Sequence, residues 1–317
     1  MIHSQRVTTG GVIASYGLSS ACQLPLTGVP GVYITYINAD DICIAVIRIG
    51  AAGIPLSCKD RTNRDGVIYT RNLGLSAMEI QLSRGFISRE EAIDIRETAD
   101  KCGIDLYIHA PYYINLTGDE RNVEMSQDKI WRSMRLAELM DARMVTTHTG
   151  FYGSLSKHEA MQRMAGRLRM LRDQIKMEGI EIPIGVQTIG KPEVFGTLEE
   201  IVELCTRVRG IQPVLDMAHI HARQNGRLQE KEDFQEVFDS LAPLNLDHVV
   251  IYLTGVRYNA EGEIYHVPVR KSDMPVIKLM ECIVEHDYNV TIISESPILE
   301  HDAVYGQILV DRAMEIS

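Results

Sequence analysis

Short apolar runs recur along the chain from about residue 46, and the segments between them repeat apolar residues with helical spacing. The runs begin roughly 28 to 42 residues apart. In chain order they are VIRIGAAG, AMEIQLS, DLYIHAP, RMVTTHTG, IPIGVQT, QPVLDMA, HVVIYLTG and VTIISES. Eight strands that alternate with helices are the elements of a (β/α)8 barrel, so the pattern predicts an α/β fold of the TIM-barrel type.

Residues that favour helix ends lie at the borders of the predicted helices. Ser88 is followed by two glutamates, and Thr197 has Glu200 three residues later, which is the spacing of a capping box. Gly103 and Gly179 stand where helices commonly end on a left-handed residue. A doubly wound open sheet is the alternative fold, but the GxGxxG motif expected after its first strand is absent.

The chain divides into two parts by composition. No linker or change in composition interrupts residues 46–317, which we predict to form one domain. Residues 1–45 contain one Arg, no Lys and two Asp, and are rich in Gly, Ser and Thr. Gly and Pro interrupt their apolar stretch, so a signal peptide is a poor fit. We expect an N-terminal extension that is disordered, or a biological start near Val46.

Composition narrows the function classes. The chain has 317 residues, a formal net charge of -11 and 45% hydrophobic residues. A protein this acidic does not attract DNA or anionic lipid over its whole surface, so a role on DNA requires a local basic patch. The six cysteines are scattered without a CxxC pair, which indicates reduced thiols and a cytoplasmic location. No run of about 18 apolar residues occurs, so no membrane span is predicted.

Polar groups able to bind metal ions collect at the ends of the predicted strands. In a (β/α)8 barrel the carboxyl ends of all strands meet at one mouth, whatever their separation in the sequence. The residues at or just after these ends, or in the loop after the seventh run, are His109, His148, Gln187, Asp216, His219, Tyr252, His266 and Glu295. Imidazole and carboxylate groups are common ligands of divalent metals, so together they predict a metal site.

Each of these residues also has a structural interpretation. A single His at a strand end is more often a hydrogen-bonded structural residue than a ligand. Asp216 could cap the following helix, and Glu295 could do likewise. Arg257 belongs to a set of basic residues after the first and seventh runs that could form a basic rim, although a solvated surface explains each of them alone. The combination of three His near strand ends with one Asp and one Glu on the same rim favours the metal site.

Several segments resemble the endonuclease IV family of apurinic/apyrimidinic endonucleases, which are xylose-isomerase-like TIM barrels. They are IHAPYYINL, GKPEVFGTLEEIVELC, VLDMAHIHA and ISESPILEHDA, within a match from about residue 47 to 315. AGIPLSCKDRT and EGEIYHVPVRKSDM are similar to a divergent, mostly archaeal branch. The resemblance implies a cluster of three divalent ions, usually zinc, that hydrolyses the phosphodiester 5′ to an abasic site in DNA.

The resemblance implies roles for individual residues. The ligands implied for the three ions are, in order, His109 with His148, Asp216 with Glu295, and His219 with His266. Gln187 and Glu295 are the predicted catalytic residues, with Gln187 in the place of a Glu that bridges two ions. Tyr112, Tyr252 and Arg257 are predicted to bind substrate, and Tyr112 occupies the place of a Tyr that helps to grip distorted DNA.

Three positions depart from the family pattern. Gln187 replaces the bridging Glu, Tyr252 replaces a His of the seventh strand, and Ile264 stands where an Asp is expected two residues before His266. An amide oxygen can bind one cation, but the NH2 group cannot, so an amide is poorly suited to bridging two cations. Tyr252 would need a lowered pKa to bind as phenolate. We therefore expect an altered cluster of one to three ions, of zinc or else of manganese or magnesium.

Three functions are compatible with these features. The first is a phosphodiesterase that acts on DNA at abasic sites, as a monomer, which is common in the family. The second is a sugar isomerase or epimerase of the same barrel group, which needs one Mn²⁺ or Mg²⁺ on Glu, Asp, His and Glu, at the positions that Gln187 and Tyr252 alter. The third is a non-catalytic descendant that binds DNA or a small molecule. We favour the first.

Overall fold

The computed structural model describes residues 32–37 and 43–316. Eight parallel strands form a closed barrel, which confirms the predicted TIM-barrel fold. The strands are β1 (Val32–Ile37), β2 (Cys43–Ala52), β3 (Ala77–Gln81), β4 (Asp105–His109), β5 (Val145–Thr147), β6 (Ile184–Gln187), β7 (Ile211–Asp216), β8 (Val249–Leu253), β9 (Gly255–Asn259), β10 (Gly262–Val267) and β11 (Val290–Ser294). Strands β2 to β8 and then β11 pair in sequence, and β2 pairs with both β3 and β11, which closes the barrel.

Helices follow most of the barrel strands. They are α1 (Asn63–Asn72), α2 (Arg89–Cys102), α3 (Glu120–Met140), α4 (Lys157–Met177), α5 (Leu198–Arg207), α6 (Met217–Arg223), α7 (Lys231–Asp239), α8 (Val276–Glu285) and α9 (Glu300–Ile316). Two clusters of buried apolar residues join helices to strands, and a third contains Tyr107, Met144 and Ile293. Because successive strand residues point to opposite faces of a sheet, this third cluster fills the barrel interior.

The helix ends follow the predicted signals. Ser88 accepts the backbone N–H of Glu91 and is the N-cap of α2, and Gly103 ends that helix in the left-handed conformation. Thr197 and Glu200 form the reciprocal hydrogen bonds of a capping box at the start of α5. These caps fix where each helix begins after its strand, and so fix the loops at the mouth of the barrel.

Part of the segment before residue 46 is described. Strand β1 pairs antiparallel with β2, from Val32 opposite Arg48 to Ile37 opposite Cys43. The expectations for residues 1–31 and 38–42 lie outside the described residues. The thiols of Cys58, Cys102, Cys205 and Cys282 are free. None of the helices in the described part of the chain combines the length and the apolar sequence needed to cross a bilayer.

A two-stranded hairpin follows β8, where the sequence predicted a loop. Strands β9 and β10 pair antiparallel and form their own sheet beside the barrel. His266 lies on β10, so its placement in a loop was wrong. Both faces of this short hairpin carry polar residues, so its sequence lacks the alternation of apolar and polar residues that would have predicted two strands. The hairpin brings His266 back to the mouth of the barrel.

Candidate metal centre at the mouth of the barrel

A cavity of about 790 Å³ opens at the carboxyl ends of the barrel strands. Its lining combines predicted site residues with side chains from the loops after β4, β5 and β6 and from the hairpin. Its polar and aromatic side chains include Gln81, Tyr112, Tyr113, Lys129, His148, Phe151, Gln187, Lys191, His219, Glu263, His266 and Glu295. His109, Asp216 and Tyr252 are buried beside them. The structure therefore brings nearly all predicted site residues to one place.

His219 on α6 and His266 on β10 face each other with Glu263. Their Nε2 atoms lie 3.1 Å apart, and Glu263 Oε2 lies 3.2 Å from His219 Nε2. The Nδ1 atom of His219 donates to the carbonyl of Thr188 at 2.8 Å, which directs Nε2 toward the cavity. Tetrahedral zinc ligands bound at 2.0–2.2 Å lie about 3.3 to 3.6 Å from one another, so these atoms have the spacing of a ligand set.

Asp216 connects this group to α6. Its Oδ1 accepts the backbone N–H of His219 at 2.9 Å, which caps the helix, and its Oδ2 lies 3.2 Å from His219 Nδ1. Ligand atoms of Asp216, His219 and His266 all lie within 4.8 Å of one another. Asp216 is therefore both the helix cap of the structural interpretation and a member of the candidate metal group.

The acids around His219 determine its charge. Burial alone would lower the pKa of His219, but Asp216 and Glu263 raise it to about 10. Burial alone would raise the pKa of Glu263, but the hydrogen bond and charge of His219 lower it to about 2. Without a metal, His219 is therefore a cation near neutral pH. A metal ion at Nε2 must displace a proton, so metal affinity at this site decreases as pH falls.

Glu263, next to the position where the sequence predicted an acid, lies beside both His219 and His266. The side chain of Ile264 is 51% exposed. A bulge in the pairing of β9 with β10 lies between Glu263 and Tyr265, and it shifts the residues that face the cavity by one position. Sequence reasoning missed Glu263 because it assumed an alignment without gaps. The neighbouring acid was the available signal.

Glycine at position 190 allows Glu263 to approach His219. A Cβ atom on Gly190 would lie 2.8 Å from both Cβ and Oε2 of Glu263 and 3.2 Å from Cδ2 of His219. The carbonyl of Gly190 also accepts the backbone N–H of Glu263 at 3.2 Å. The loop after β6 therefore packs directly on the hairpin, and a side chain at position 190 would displace the acid.

His109 and His148 form a second pair of imidazoles. Their rings are nearly perpendicular, with centroids 5.3 Å apart. His109 Nδ1 donates to the carbonyl of Ala110 at 2.7 Å, so its Nε2 points to Oε1 of Gln187 at 3.5 Å. Burial lowers the pKa of both rings, to about 3 for His148, where the charges of His109 and His219 act in the same direction. Both imidazoles are therefore neutral, as metal binding requires.

The side chain of Gln187 lies between these groups and two carboxylates. Its Nε2 donates to Oδ2 of Asp216 at 3.3 Å and to Oε2 of Glu295 at 3.4 Å. Both hydrogens of the amide are thus directed at acids, while its oxygen faces His109. Gln187 therefore connects Asp216 and Glu295 through hydrogen bonds, without a cation between them.

Tyr252 interacts with an acid that sequence analysis missed. Its hydroxyl donates to Oε2 of Glu79 at 2.5 Å, and both side chains are fully buried. Burial and the charge of Glu79 raise the pKa of Tyr252 well above its usual value, so the phenolate that metal binding would need is disfavoured. Glu79 was missed because it lies within the run AMEIQLS and not at its end. A single acid in an apolar run was the signal.

The acids in the barrel interior lie close enough to affect one another. Burial, together with Glu79 and Asp216, raises the pKa of Glu295 well above its usual value. Burial also raises the pKa of Glu79, which accepts a hydrogen bond from Gln81 at 2.6 Å as well as the bond from Tyr252. Protons and hydrogen bonds therefore reduce the negative charge in this part of the site.

The predicted substrate-binding residues lie in different places. Tyr112 lines the cavity, with its ring centroid 5.0 Å from that of His109 and its hydroxyl bonded to Oε1 of Gln81 at 3.0 Å. Tyr252 is buried and has no exposed surface. Arg257 is exposed on β9 and is not part of the cavity lining. Only Tyr112 of the three can contact a ligand in the cavity as it stands.

The side chains between α6 and the hairpin fit a divalent ion, whereas those between Asp216 and Glu295 do not. At the first position, His219 and His266 combine two imidazoles with the carboxylate of Glu263, a set suited to zinc. Between Asp216 and Glu295, the amide NH2 of Gln187 presents hydrogens, which a cation cannot approach as ligands. The middle ion of a three-ion cluster therefore does not fit this site.

Fold and site together define a (β/α)8 barrel with a candidate metal centre at the carboxyl ends of its strands. Residues 67–307 match the model of the family described as the xylose isomerase-like TIM barrel. Because the match covers most of the chain, the protein belongs to this family. The specific endonuclease IV branch is a finer distinction than this match makes.

The chain is similar to proteins with different descriptions. The uncharacterized protein MJ0133 of Methanocaldococcus jannaschii is 28% identical over 267 residues, which cover 82% of this chain and 95% of that protein. Endonuclease IV from Thermus thermophilus shares the fold with a TM-score of 0.64 and 20% identity, over 84% of this chain and 100% of the other. A D-tagatose 3-epimerase-like protein has a TM-score of 0.66 and 18% identity, over 85% and 97%. At such identities the two structures show the fold alone.

Proposed function

We propose that this protein is a metal-dependent phosphodiesterase of the endonuclease IV type that cleaves DNA at abasic sites with an altered metal centre. The observation that carries the proposal is the convergence of Asp216, His219, Glu263 and His266 at the cavity. The strand-end motifs that resemble endonuclease IV favour this activity over others hosted by the same barrel.

The charges of the cavity suit a phosphodiester. A divalent ion held by His219, His266 and Glu263 would neutralise a phosphate and stabilise the leaving oxygen. Lys129 and Lys191 line the same cavity. They provide local positive charge for a DNA backbone in a protein whose net charge is -11.

Aromatic side chains from the loops after β4 and β5 suit a distorted DNA strand. Tyr113 is 89% exposed, Phe151 is 49% exposed and Tyr112 is 44% exposed, and all three line the cavity. Exposed aromatic rings stack on unpaired bases with about 1 to 3 kcal/mol per base. The bases beside an abasic site lack a stacking neighbour, so they are suitable partners for these rings.

A sugar isomerase or epimerase is a weaker candidate. Its single ion would need ligands at positions 187, 216, 252 and 295. Gln187 and Tyr252 instead use hydrogens to bond the acids Asp216, Glu295 and Glu79. The amide oxygen of Gln187 faces His109 and not the two acids, and the Tyr252 oxygen keeps the proton that it donates to Glu79. The site for such an ion is therefore incomplete.

A non-catalytic binding protein is the second candidate, and Gln187 favours it. The amide satisfies both carboxylates of the barrel interior without a metal. A protein that had lost catalysis would keep the cavity and its aromatic lining while such neutral contacts replaced bound cations. Metal content and cleavage distinguish this candidate from the phosphodiesterase.

The proposal is tested by metal analysis and DNA cleavage. We expect protein purified without chelators to contain one or two ions per chain and to nick a duplex with a single abasic site when zinc, manganese or cobalt is supplied. His219→Ala should reduce cleavage by more than about 100-fold, because it removes a metal ligand. His158→Ala, at an exposed His on α4, is the matched control and should leave the rate unchanged. Absence of nicking with all three metals rejects the phosphodiesterase.

A further inference from the structure

Three residues outside the metal group connect the hairpin to α6. The hydroxyl of Tyr258 on β9 donates to Oδ2 of Asp273 at 2.6 Å. Nε2 of His221 on α6 donates to the other oxygen of the same carboxylate at 3.3 Å. The rings of His221 and Tyr258 also meet edge to face, with centroids 5.2 Å apart. We call Tyr258, Asp273 and His221 the hairpin clamp.

The hairpin clamp joins the two elements that carry the metal group. Tyr258 is the Cα partner of Glu263 across the hairpin, so both side chains lie on the face toward α6. His221 lies two residues after His219 on α6. The separation of His266 and Glu263 from His219 therefore depends on how the hairpin is held against α6.

The residues next to Tyr258 leave space for its hydroxyl group. A Cβ atom on Gly226 would lie 2.2 Å from the Tyr258 oxygen, so only a glycine leaves room there. Gly226 has φ +86°, a conformation that other residues rarely adopt. The Oγ atom of Ser272 accepts the backbone N–H of Val256 at 3.3 Å, so residues 272 and 273 both bond β9.

We propose that the hairpin clamp sets the spacing of His266 and Glu263 from His219 and thereby tunes the affinity of the metal site, an inference that rests on the metal site of the proposed function. Tyr258, Asp273 and His221 are positioning residues, because they act through the ligands. A metal site binds strongly only when its ligands are held at the right separation before the ion arrives, and loss of such supporting contacts typically weakens binding about 10- to 100-fold.

The test uses Zn²⁺ titration of the full chain against a competing chelator. Tyr258→Phe removes only the hydroxyl and should raise the zinc Kd about 10-fold. Tyr265→Phe, on the same hairpin but 57% exposed, removes the same group and should leave the Kd unchanged. Asp273→Leu removes the acceptor of both Tyr258 and His221, so it should weaken binding at least as much as Tyr258→Phe, and the double variant should be no weaker than Asp273→Leu alone. Asp273→Asn keeps an acceptor oxygen for the Tyr258 hydroxyl and should retain most of the affinity.

Two measurements on metal-free protein make the result decisive. Hydrogen exchange in residues 255–267 should be faster in Tyr258→Phe than in wild type, while the melting temperature stays the same. The clamp is overturned if hydrogen exchange in the hairpin is the same in Tyr258→Phe and wild type. It is also overturned if wild type binds zinc and Tyr258→Phe binds it with the same Kd, or if the variant loses enough global stability to account for its weaker binding. If wild-type protein binds no zinc, the metal site of the proposed function fails and the tuning of its affinity fails with it, whereas zinc binding that is equal in wild type and Tyr258→Phe overturns the clamp alone.

Discussion

The side chain of Gln187 differs from the expected Glu by one atom, and that atom changes what the centre of the barrel can bind. A Glu would offer two equivalent oxygens to two cations. Gln187 offers one oxygen toward His109 and two hydrogens, which Asp216 and Glu295 accept. Because Tyr252 also donates its hydrogen to an acid, the interior acids are satisfied by hydrogen bonds where a cation would otherwise be required.

Gln187→Glu tests this interpretation. The variant adds a carboxylate beside Asp216 and Glu295, so we expect the metal-free protein to lose stability on the order of 3 kcal/mol. With zinc supplied, we expect the variant to bind more metal per chain than wild type and to cleave faster. Urea unfolding with and without chelator measures the first effect, and metal analysis measures the second.

Gln187→Met is the control, because it keeps the length of the side chain without adding a charged group. It should lose the hydrogen bonds to Asp216 and Glu295 and gain no metal. If Gln187→Glu lowers both metal content and cleavage, position 187 is not the bridging position and the correspondence with the family pattern at this strand end is wrong.

At the scale of elements, the loop after β6 depends on one arginine. Arg223, the last residue of α6, extends its guanidinium into residues 189–194 of that loop. It donates to four backbone carbonyls at 2.9 to 3.3 Å, those of Ile189, Lys191, Pro192 and Val194. Since the same loop carries Lys191 and the close approach of Gly190 to Glu263, Arg223 shapes one wall of the cavity.

Arg223→Ala should therefore cost more than an ordinary surface substitution. Four carbonyls lose a charged donor at once, and we expect the free energy of unfolding to fall by on the order of 3 kcal/mol. Arg227→Ala is the matched control, since Arg227 pairs with Glu236 on the exposed surface and should contribute less than about 1 kcal/mol. Urea unfolding of both variants measures the difference, and equal effects would show that the loop does not depend on Arg223.

At the scale of the whole molecule, metal binding should stabilise the fold. An ion that binds only the native state at 100 times its Kd adds about 2.7 kcal/mol, because it shifts the folding equilibrium by mass action. For a chain of 317 residues we expect a chelator to lower the melting temperature by roughly 4 °C. Differential scanning calorimetry with and without EDTA measures this shift.

His266→Ala provides the control for metal removal. It deletes one ligand of the candidate site, so its melting temperature should no longer respond to EDTA. A wild-type protein whose melting temperature is the same with and without EDTA, after incubation with zinc, would contradict a native metal site between α6 and the hairpin.

The barrel could be predicted from the sequence because the signals for each strand and helix are local. Apolar runs, capping residues such as Ser88 and Thr197, and terminal glycines such as Gly103 depend on neighbours within a few residues. The site was predicted in part for the same reason. His109 and Asp216 stand at strand ends, and parallel barrel strands must bring such ends together.

Other parts of the site could not be predicted because they depend on contacts between distant residues. The role of Glu79 depends on its hydrogen bond with the hydroxyl of Tyr252, which lies far away in the sequence and reaches Glu79 across the barrel. Glu263 faces the cavity only because a bulge shifts the hairpin by one position. Neither a cross-barrel hydrogen bond nor a bulge leaves a repeating pattern in the chain.

The amino-acid sequence by itself determined the barrel, the mouth at which its polar strand ends meet, and the presence of an amide, Gln187, among the acids and imidazoles at those ends. Tertiary structure alone decided which of these groups form a site: His219, His266 and Glu263 within ligand distance, and Gln187 bonded to two acids. The physical reason is the separation in sequence over which each interaction acts. Backbone periodicity and caps are local, whereas a metal site or a buried proton depends on the distances between side chains that the closed barrel brings together.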